Sequence, residues 1–159
     1  MIEQLHGNLL DYKSDLLINA ANGKGWMGGI FGRYVPLKGV ADTIHYNDHS
    51  IEREAKIICR SRKICLGDIY ITGSGRLGFK EGVLHAVTML KPGQKADILT
   101  IEKCLNNICA FCVEKGIQSS TIPLLGTGTG GLDKEKVMKI FEKKLRNHST
   151  HFKIVLYKR

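Results

Sequence analysis

Apolar residues along the chain fall into short runs and into longer segments with helical spacing. Short apolar runs between polar or glycine-rich stretches predict buried strands at residues 16–21, 68–72, 83–89, 121–125 and 152–157. Apolar residues three and four positions apart predict helices at residues 50–60, 100–115 and 133–145. Because strands alternate with long helices, we expect crossover connections and a mostly parallel sheet covered on both faces.

Polar and glycine residues mark the ends of these helices. Ser50 is predicted to cap the first one, since Glu52 and Glu54 follow in its first turn. Gly116 is predicted to end the second helix, and Asp133 to cap the third. Ligands of such sheets bind where the strands end at their carboxyl side, so the loops after residues 21 and 125 are the candidate site.

Composition narrows the class of protein. The 159 residues, 43% of them hydrophobic, suffice for one soluble domain over residues 1–159 without disulfides or metal. Cys109 and Cys112 have a single C-x-x-C spacing, but the five cysteines do not form paired C-x-x-C units with distant His, as a structural zinc site would need. We therefore interpret them as small buried hydrophobes in a reducing compartment. No apolar run reaches membrane length. We therefore expect a cytoplasmic monomer, nuclear if the host has a nucleus, that does not associate with membranes.

The formal net charge of +9 comes from 24 Lys and Arg against 15 Asp and Glu. A basic surface favours polyanionic partners such as nucleotides or nucleic acid. It also serves solubility alone. Both interpretations stay open.

The stretch between the strand at 121–125 and the next helix is rich in glycine. Its six residues are Gly126, Thr127, Gly128, Thr129, Gly130 and Gly131. Without Cβ atoms, backbone amides can converge on one anion, and the helix N-terminus adds its dipole. The two threonines add hydroxyl donors. The stretch is neither a Walker loop nor a dinucleotide fingerprint, which leaves a phosphate site or a flexible turn.

Two asparagines lie near the end of the strand at 16–21. Asn19 is expected to be a structural tie to the backbone, whereas Asn22, at the tip, is better placed to meet a ligand. The glycine-rich segment that follows has aromatic and thioether side chains that could wall a ribose or a base: Trp26, Met27, Phe31 and Tyr34.

Four motifs in this order resemble the macrodomain family over nearly the whole chain. They are Asn19-Ala20-Ala21-Asn22, a glycine-rich loop, Val83-Leu84-His85-Ala86-Val87 and Ile122-Pro123-Leu124-Leu125-Gly126-Thr127-Gly128. The resemblance implies a three-layer α/β/α fold with a mixed, mostly parallel central sheet. It also implies ADP-ribose as the ligand, with no metal or cofactor. Many members hydrolyse ADP-ribose from proteins, nucleic-acid ends or O-acetyl-ADP-ribose.

The resemblance assigns a role to each matched residue. Asn8 stands where the family has an Asp that takes the adenine amino group, and its amide oxygen can still accept that hydrogen bond without charge assistance. Asn22 matches the Asn that contacts the distal ribose, and His85 matches a histidine that looks structural. Gly130 replaces a frequent aromatic. The implied ADP-ribose-binding residues are Asn8, Leu9, Ala21, Asn22, Gly39, Val40, Ala41, Leu125, Gly126, Thr127, Gly128, Thr129, Gly130 and Gly131.

The first glycine-rich loop admits two alignments with the family. Residues 28–32 keep the short family spacing, whereas residues 39–45 fit better and imply an insertion of about nine residues within residues 23–38; we prefer the second alignment. It places Ala41 where the strongly hydrolytic subgroup carries Asp, and leaves Asp42 one position later. Asp42 and His45 are then the candidates for activating a water, although a histidine on a helix face is also a common structural residue.

Three function hypotheses follow. The first is an ADP-ribosyl hydrolase in which Asn22, Asp42 and His45 are the candidate catalytic residues. The second is a non-catalytic reader of ADP-ribose or poly(ADP-ribose), which Ala41 and Gly130 favour. The third is general RNA or DNA binding through the basic surface, with a steep dependence on salt. The expected partners are thus ADP-ribose, ADP-ribosylated protein or nucleic acid, and possible poly(ADP-ribose) or RNA.

Overall fold

A six-stranded sheet forms the centre of the protein. The computed structural model describes residues 1–35 and 39–157, so part of the predicted insertion at 23–38 lies outside the described residues. The strands are β1 (Ile2–His6), β2 (Leu16–Asn22), β3 (Ile69–Thr72), β4 (Val83–Met89), β5 (Ser119–Pro123) and β6 (His151–Leu156). Their order is β1-β6-β5-β2-β4-β3, with β3 antiparallel to β4 and every other neighbouring pair parallel. The predicted mixed, mostly parallel sheet is confirmed.

Helices cover both faces of this sheet. They are α1 (Gly29–Gly32), α2 (Val40–Asn47), α3 (Ser50–Ser61), α4 (Ile98–Lys115) and α5 (Lys134–Leu145), with short 3-10 turns at Leu9–Asp11 and Gly75–Leu77. Successive residues of a strand point to opposite faces, so β2 contributes to two cores. Leu16 and Ile18 pack with α4 and α5, whereas Leu17 packs with Ile44 of α2 and Ile51 of α3. The three-layer arrangement is confirmed.

The hydrophobic pattern did not predict β1 and α2. β1 has only Ile2 and Leu5 as apolar residues, and it is an edge strand that backbone hydrogen bonds to β6 hold in place. α2 is short and has β-branched residues in a glycine-led segment, which weakens its helical signal. No helix in the described ranges is long and apolar enough to cross a membrane.

The predicted helix ends are right at two places and wrong at a third. Asp133 caps α5 by accepting from Lys136 N at 2.9 Å, and Gly116 ends α4 in the left-handed region. Ser50 does not cap α3. Asp48 accepts from the Ser50 backbone N at 2.9 Å and from its hydroxyl at 2.6 Å, because a carboxylate two residues earlier can reach both donors.

The cysteines only partly follow the expectation of burial. Cys104 and Cys112 are buried and their burial raises the pKa of each thiol to about 12, Cys59 and Cys109 are half-buried, and Cys65 is exposed. The prediction is therefore wrong for Cys65, which precedes the turn into β3. All five thiols are free.

A polar chain crosses the buried centre of the sheet at His85. Asn19 Nδ2 lies 3.1 Å from His85 Nδ1, and Thr72 Oγ1 lies 2.9 Å from Nε2. The ring of Tyr70 stacks on the imidazole with centroids 4.7 Å apart. Asn19 is thus a structural tie, but to a side chain rather than to the backbone. Burial lowers the pKa of His85 to about 3.

Replacing His85 with Gln should make the free energy of unfolding fall less as the pH is lowered. Its folded-state pKa lies below the unfolded value of 6.5, so its contribution is complete above pH 6.5 and is lost as the pH falls towards 3. At pH 5 the loss amounts to about 2 kcal/mol. Urea unfolding at pH 7.5 and 5.0 measures it. His49→Gln, at an exposed site, should keep the wild-type slope; equal slopes for His85→Gln and wild type would contradict the assignment.

Candidate functional site

Three loops meet at one edge of the sheet, because the parallel strands β2, β4 and β5 end there. We name them the first loop (residues 23–28), the β4 loop (residues 90–97) and the glycine loop (residues 126–131). The first loop and the β4 loop begin side by side, with Gly23 N donating to Met89 O at 2.9 Å. The β4 loop also contacts the glycine loop, where Ala96 N donates to Gly130 O at 3.1 Å.

The glycine loop presents backbone amides that the protein does not use. Its internal bonds run from Gly131 N to Gly128 O at 3.1 Å and from Leu132 N to Gly126 O at 3.0 Å. Within the described part of the chain, four amides of the loop have no acceptor: those of Gly126, Gly128, Thr129 and Gly130. Unpaired amides in a glycine-rich loop that leads into the N-terminus of α5 suit an anion.

Two details of the glycine loop differ from the prediction. The Thr127 hydroxyl donates to Leu124 O at 2.8 Å, so it is already engaged within the turn. Leu125 is fully buried, and only its backbone is available to a ligand. Thr129 is exposed and keeps its predicted place on the loop surface.

Close packing requires glycine at position 130. A Cβ there would lie 2.5 Å from Gly126 O and 2.8 Å from the Cβ of Ala96. The β4 loop thus fills the space that a side chain would need. This is the physical reason why the aromatic residue of many macrodomains has no room here.

Asn22 holds the first loop. Its Oδ1 accepts from Lys24 N at 3.0 Å and from Trp26 N at 3.2 Å, and its Nδ2 donates to Trp26 O at 2.8 Å. The side chain is nearly buried. Asn22 lies at the predicted strand tip, but all these hydrogen bonds go to its own loop; a contact with the distal ribose stays a prediction.

Glu52 of α3 holds the end of the same loop. Its Oε2 accepts from Met27 N and Gly29 N, each at 3.1 Å, and its Oε1 accepts from Lys56 Nζ. Only 3% of Glu52 is exposed. Burial would raise the pKa of this carboxyl, but the hydrogen bonds and charges of Lys56, Gly29 and His45 outweigh it and hold the pKa below its usual range.

Sequence reasoning placed Glu52 in the first turn of its helix and missed its role in the site. Its four-residue spacing from Lys56 signals an ion pair, but on most helices such a pair lies in solvent. The backbone amides that Glu52 binds come from more than twenty residues away, and no local pattern reveals them.

His45 belongs to the same cluster. Its Nε2 lies 2.8 Å from Gly29 O, and its Nδ1 lies 3.2 Å from Glu52 Oε2 but outside hydrogen-bonding geometry. The ring is buried. The bond to Gly29 O lets His45 help to position the loop, and its predicted role in activating a water stays a prediction.

Asp42 is the predicted catalytic residue whose carboxylate is not engaged. It is half-buried in the first turn of α2, and no residue within 1–35 or 39–157 donates a hydrogen bond to it. Cβ atoms on Gly28 and Gly39 would lie 3.2 Å and 2.6 Å from its two oxygens, so both glycine segments approach it. Burial raises the pKa of Asp42, and the charge of His45 offsets this in part.

The remaining predicted ligand-binding side chains divide by burial. Leu9 and Ala21 are buried in separate core clusters, which leaves only their backbones for a ligand. Val40 and Ala41 are half-buried and pack on the core of α2. Asn8 is exposed, and its Oδ1 accepts from Leu10 N at 3.0 Å, so its adenine-facing oxygen already caps a turn.

Comparison with known proteins decides the family. The sequence profile of the macro domain matches residues 18–141. The chain belongs to the macro domain family. It is 30% identical over 146 residues to an uncharacterised protein of Aquifex aeolicus, a match that covers 91% of this chain and 81% of the relative. It is 25% identical over 137 residues to the DNA ADP-ribosyl glycohydrolase of Mycobacterium tuberculosis, covering 86% of this chain and 36% of that protein.

Solved structures share the fold of this macro domain. The macrodomain of Mycobacterium tuberculosis DarG superposes with a TM-score of 0.84 at 22% identity, covering 98% of this chain and 97% of the other. Thermosipho africanus DarTG in complex with ADP-ribose has a TM-score of 0.82 at 20% identity, covering 99% of this chain and 41% of that one. The resemblance recognised in the sequence motifs is confirmed.

Glu52→Ala should destabilise the macro domain and loosen its first loop. Removing a buried carboxylate leaves Met27 N, Gly29 N and Lys56 without their partner, at a cost of about 3 kcal/mol. Chemical unfolding measures the loss, and acrylamide quenching of Trp26 reports the loop. Glu114→Ala, at an exposed site on α4, is the control; equal stabilities for the two variants would contradict the role given to Glu52.

Gly130→Ala should also be costly, whereas Gly128→Ala should be tolerated. The added Cβ at 130 meets Gly126 O, but a Cβ at 128 meets nothing within 4 Å. We expect the free energy of unfolding to fall by about 1–3 kcal/mol for the first variant only. Thermal and urea unfolding of both proteins check this, and a fully stable Gly130→Ala variant would show that the β4 loop yields easily.

Proposed function

We propose that this macro domain binds ADP-ribose and hydrolyses ADP-ribosyl linkages. The observation that carries the proposal is the set of unpaired amides at Gly126, Gly128, Thr129 and Gly130 beside the N-terminus of α5. A diphosphate brings several acceptor oxygens and negative charge to one place, which such a loop satisfies without any cation. The ADP-ribose complex of the structurally similar Thermosipho protein supports the choice of ligand.

Asp42 is the residue that we propose for catalysis. A bound water would attack the anomeric carbon of the distal ribose while Asp42 accepts a proton from it. The bond from that carbon to the carrier would break, and the carrier would leave with the bonding electrons. Asp42 suits this role because burial makes its carboxylate more basic and no described residue donates a hydrogen bond to it.

Asn22, His45 and Glu52 then act indirectly. They hold the first loop against the site, so that the ribose and the water meet Asp42 in one arrangement. Orientation of this kind lowers the barrier because the entropy of alignment is lost on binding rather than in the reaction.

The carrier is also part of the proposal. ADP-ribosylated protein and ADP-ribosylated nucleic acid both fit an open site of this type, and the name of the mycobacterial relative, DNA ADP-ribosyl glycohydrolase, favours nucleic acid. The net charge of +9 is compatible with poly(ADP-ribose) or RNA as additional partners.

A non-catalytic reader is the second candidate function. The observation in its favour is Gly130, where the packing of Ala96 leaves no room for an aromatic side chain beside the distal ribose. Without that contact the ribose is held by fewer groups, which weakens control of the scissile bond more than it weakens binding.

Calorimetry with ADP-ribose tests the binding proposal. Gly128→Pro removes one loop amide, and Gly128→Ala retains it at a position with open space. Losing a hydrogen bond to a charged group costs about 1.5–3 kcal/mol, so affinity should fall at least about tenfold for the Pro variant alone. Absence of heat for the wild type at high micromolar ADP-ribose would refute both candidate functions.

Release of ADP-ribose from a mono-ADP-ribosylated protein and from an ADP-ribosylated oligonucleotide tests catalysis. Asp42→Asn should lower kcat by about 10²–10⁴-fold with little change in KM, because it removes the base but not the binding groups. Asn22→Ala should abolish turnover by releasing the first loop. A wild-type protein that binds ADP-ribose but leaves the label on at stoichiometric concentration would instead establish the reader.

A further inference from the structure

An apolar surface that no residue of the described ranges covers lies beside the site. It comprises Trp26, Ile30, Phe31, Tyr34 and Val35, and we call it the aromatic surface. Exposed fractions are 72% for Ile30, 79% for Phe31 and 78% for Tyr34. Five large apolar side chains exposed within ten residues exceed the scattered apolar residues of an ordinary surface and indicate a binding region.

The base of the aromatic surface is firmly held. Asn22 fixes the backbone of Trp26, and Glu52 fixes that of Gly29. The Trp26 indole Nε1 would lie 3.2 Å from a Cβ on Gly29, so the ring rests against the start of α1. Met27 is buried below it. The backbone is therefore anchored while the apolar side chains face outward.

Charge identifies the kind of partner. Lys24 and Arg33 are exposed within this segment, and no Asp or Glu occurs between Asp15 and residue 35. The neighbouring β4 loop adds exposed Lys91 and Lys95, with no acid between residues 90 and 96. The glycine loop has no charged residue at all. Aromatic faces and cations thus share one edge, which also includes the half-buried Asp42 and Asp97, the N-cap of α4.

These two properties together select a partner that is anionic and has flat apolar faces. A single-stranded nucleic acid has both, because its phosphates follow a basic track while its bases stack on exposed rings. A second copy of this chain would bring the same basic edge and a net charge of +9, which opposes association. An acidic peptide would match the charge but not the rings.

We propose that the aromatic surface binds single-stranded nucleic acid. Bases stack on Phe31, Tyr34 and Trp26, and phosphates lie along Lys24, Arg33, Lys91 and Lys95. Entry of an ADP-ribosylated nucleotide into the neighbouring site rests on the proposed function. Binding of an unmodified strand does not, so the two ideas fail separately.

The chain contains a single tryptophan, and it lies in this surface. Titration with an unmodified single-stranded oligonucleotide of about 10 nucleotides should therefore quench the intrinsic fluorescence of Trp26 and saturate. Anisotropy of a labelled strand gives the affinity independently, and added salt should weaken it steeply.

Matched variants assign the surface. Phe31→Ala and Tyr34→Ala should each weaken binding about tenfold. Val113→Ala, at an exposed apolar position near the end of α4, should not. Lys91→Gln and Lys95→Gln should reduce affinity and the salt slope. Lys115→Gln and Lys143→Gln, in the last turns of α4 and α5, should change neither.

Several results would overturn this proposal. One is the absence of binding to single-stranded DNA or RNA at low salt. Another is a wild-type affinity for the strand in the Phe31 and Tyr34 variants, or an affinity of the wild type for duplex equal to that for the single strand. Binding to anionic vesicles instead of oligonucleotides, or dimers that bury Trp26, would also overturn it. ADP-ribose calorimetry is run in parallel. A protein that binds the strand but not ADP-ribose would refute the proposed function alone. A protein that binds ADP-ribose but not the strand would refute only the proposal for the aromatic surface.

Discussion

A carboxylate cannot be buried without donors around it, and the site of this protein is arranged about that requirement. Glu52 lies almost wholly out of solvent, where an unpaired charge would be expensive. Its donors are two amides of the segment that follows β2 and the ammonium of Lys56, and the ring of His45 lies nearby. The first loop thus has its conformation because the charge beneath it must be satisfied. A glycine-rich segment would otherwise have many backbone conformations of similar energy.

This arrangement separates holding from reacting. Asn22 and His45 are the residue types that a search for catalysts selects, yet in this fold the Asn22 amide and the His45 Nε2 are occupied by the segment that follows β2. Asp42 lies against the same glycines with its carboxylate unengaged among the described residues. The glycine loop shows the same division, because its own turns bind some of its backbone amides and leave others for an anion. Side chains that hold the loops therefore lie next to groups that are available to a ligand, at one edge of the sheet.

Sequence patterns predicted the parts of the fold that depend on local spacing. The long amphipathic helices α4 and α5, the buried strands β2 and β4, and the capping by Asp133 all have signals within a few residues. β1 has no such signal, because an edge strand is held by backbone pairing and needs few apolar side chains. The family motifs placed the two glycine-rich loops after β2 and β5, where the structure has them.

What sequence could not supply was the identity of side-chain partners. Glu52 reads as an ordinary surface residue of a helix, since its burial depends on a loop that approaches from elsewhere in the chain. Leu9 and Leu125 match ligand-binding positions of the family, yet their side chains belong to the core. In each case the deciding contact is tertiary.

The contact between Ala96 and Gly130 has a consequence for how this site could change over time. A bulky residue at position 130 is blocked until both the Gly126 carbonyl and the β4 loop move away, and moving them without filling the space opens a void beside the glycine loop. Each change is unfavourable without the other. The two positions are thus epistatic, and an aromatic-bearing site could be reached from this one only through a less stable intermediate or by coupled substitution.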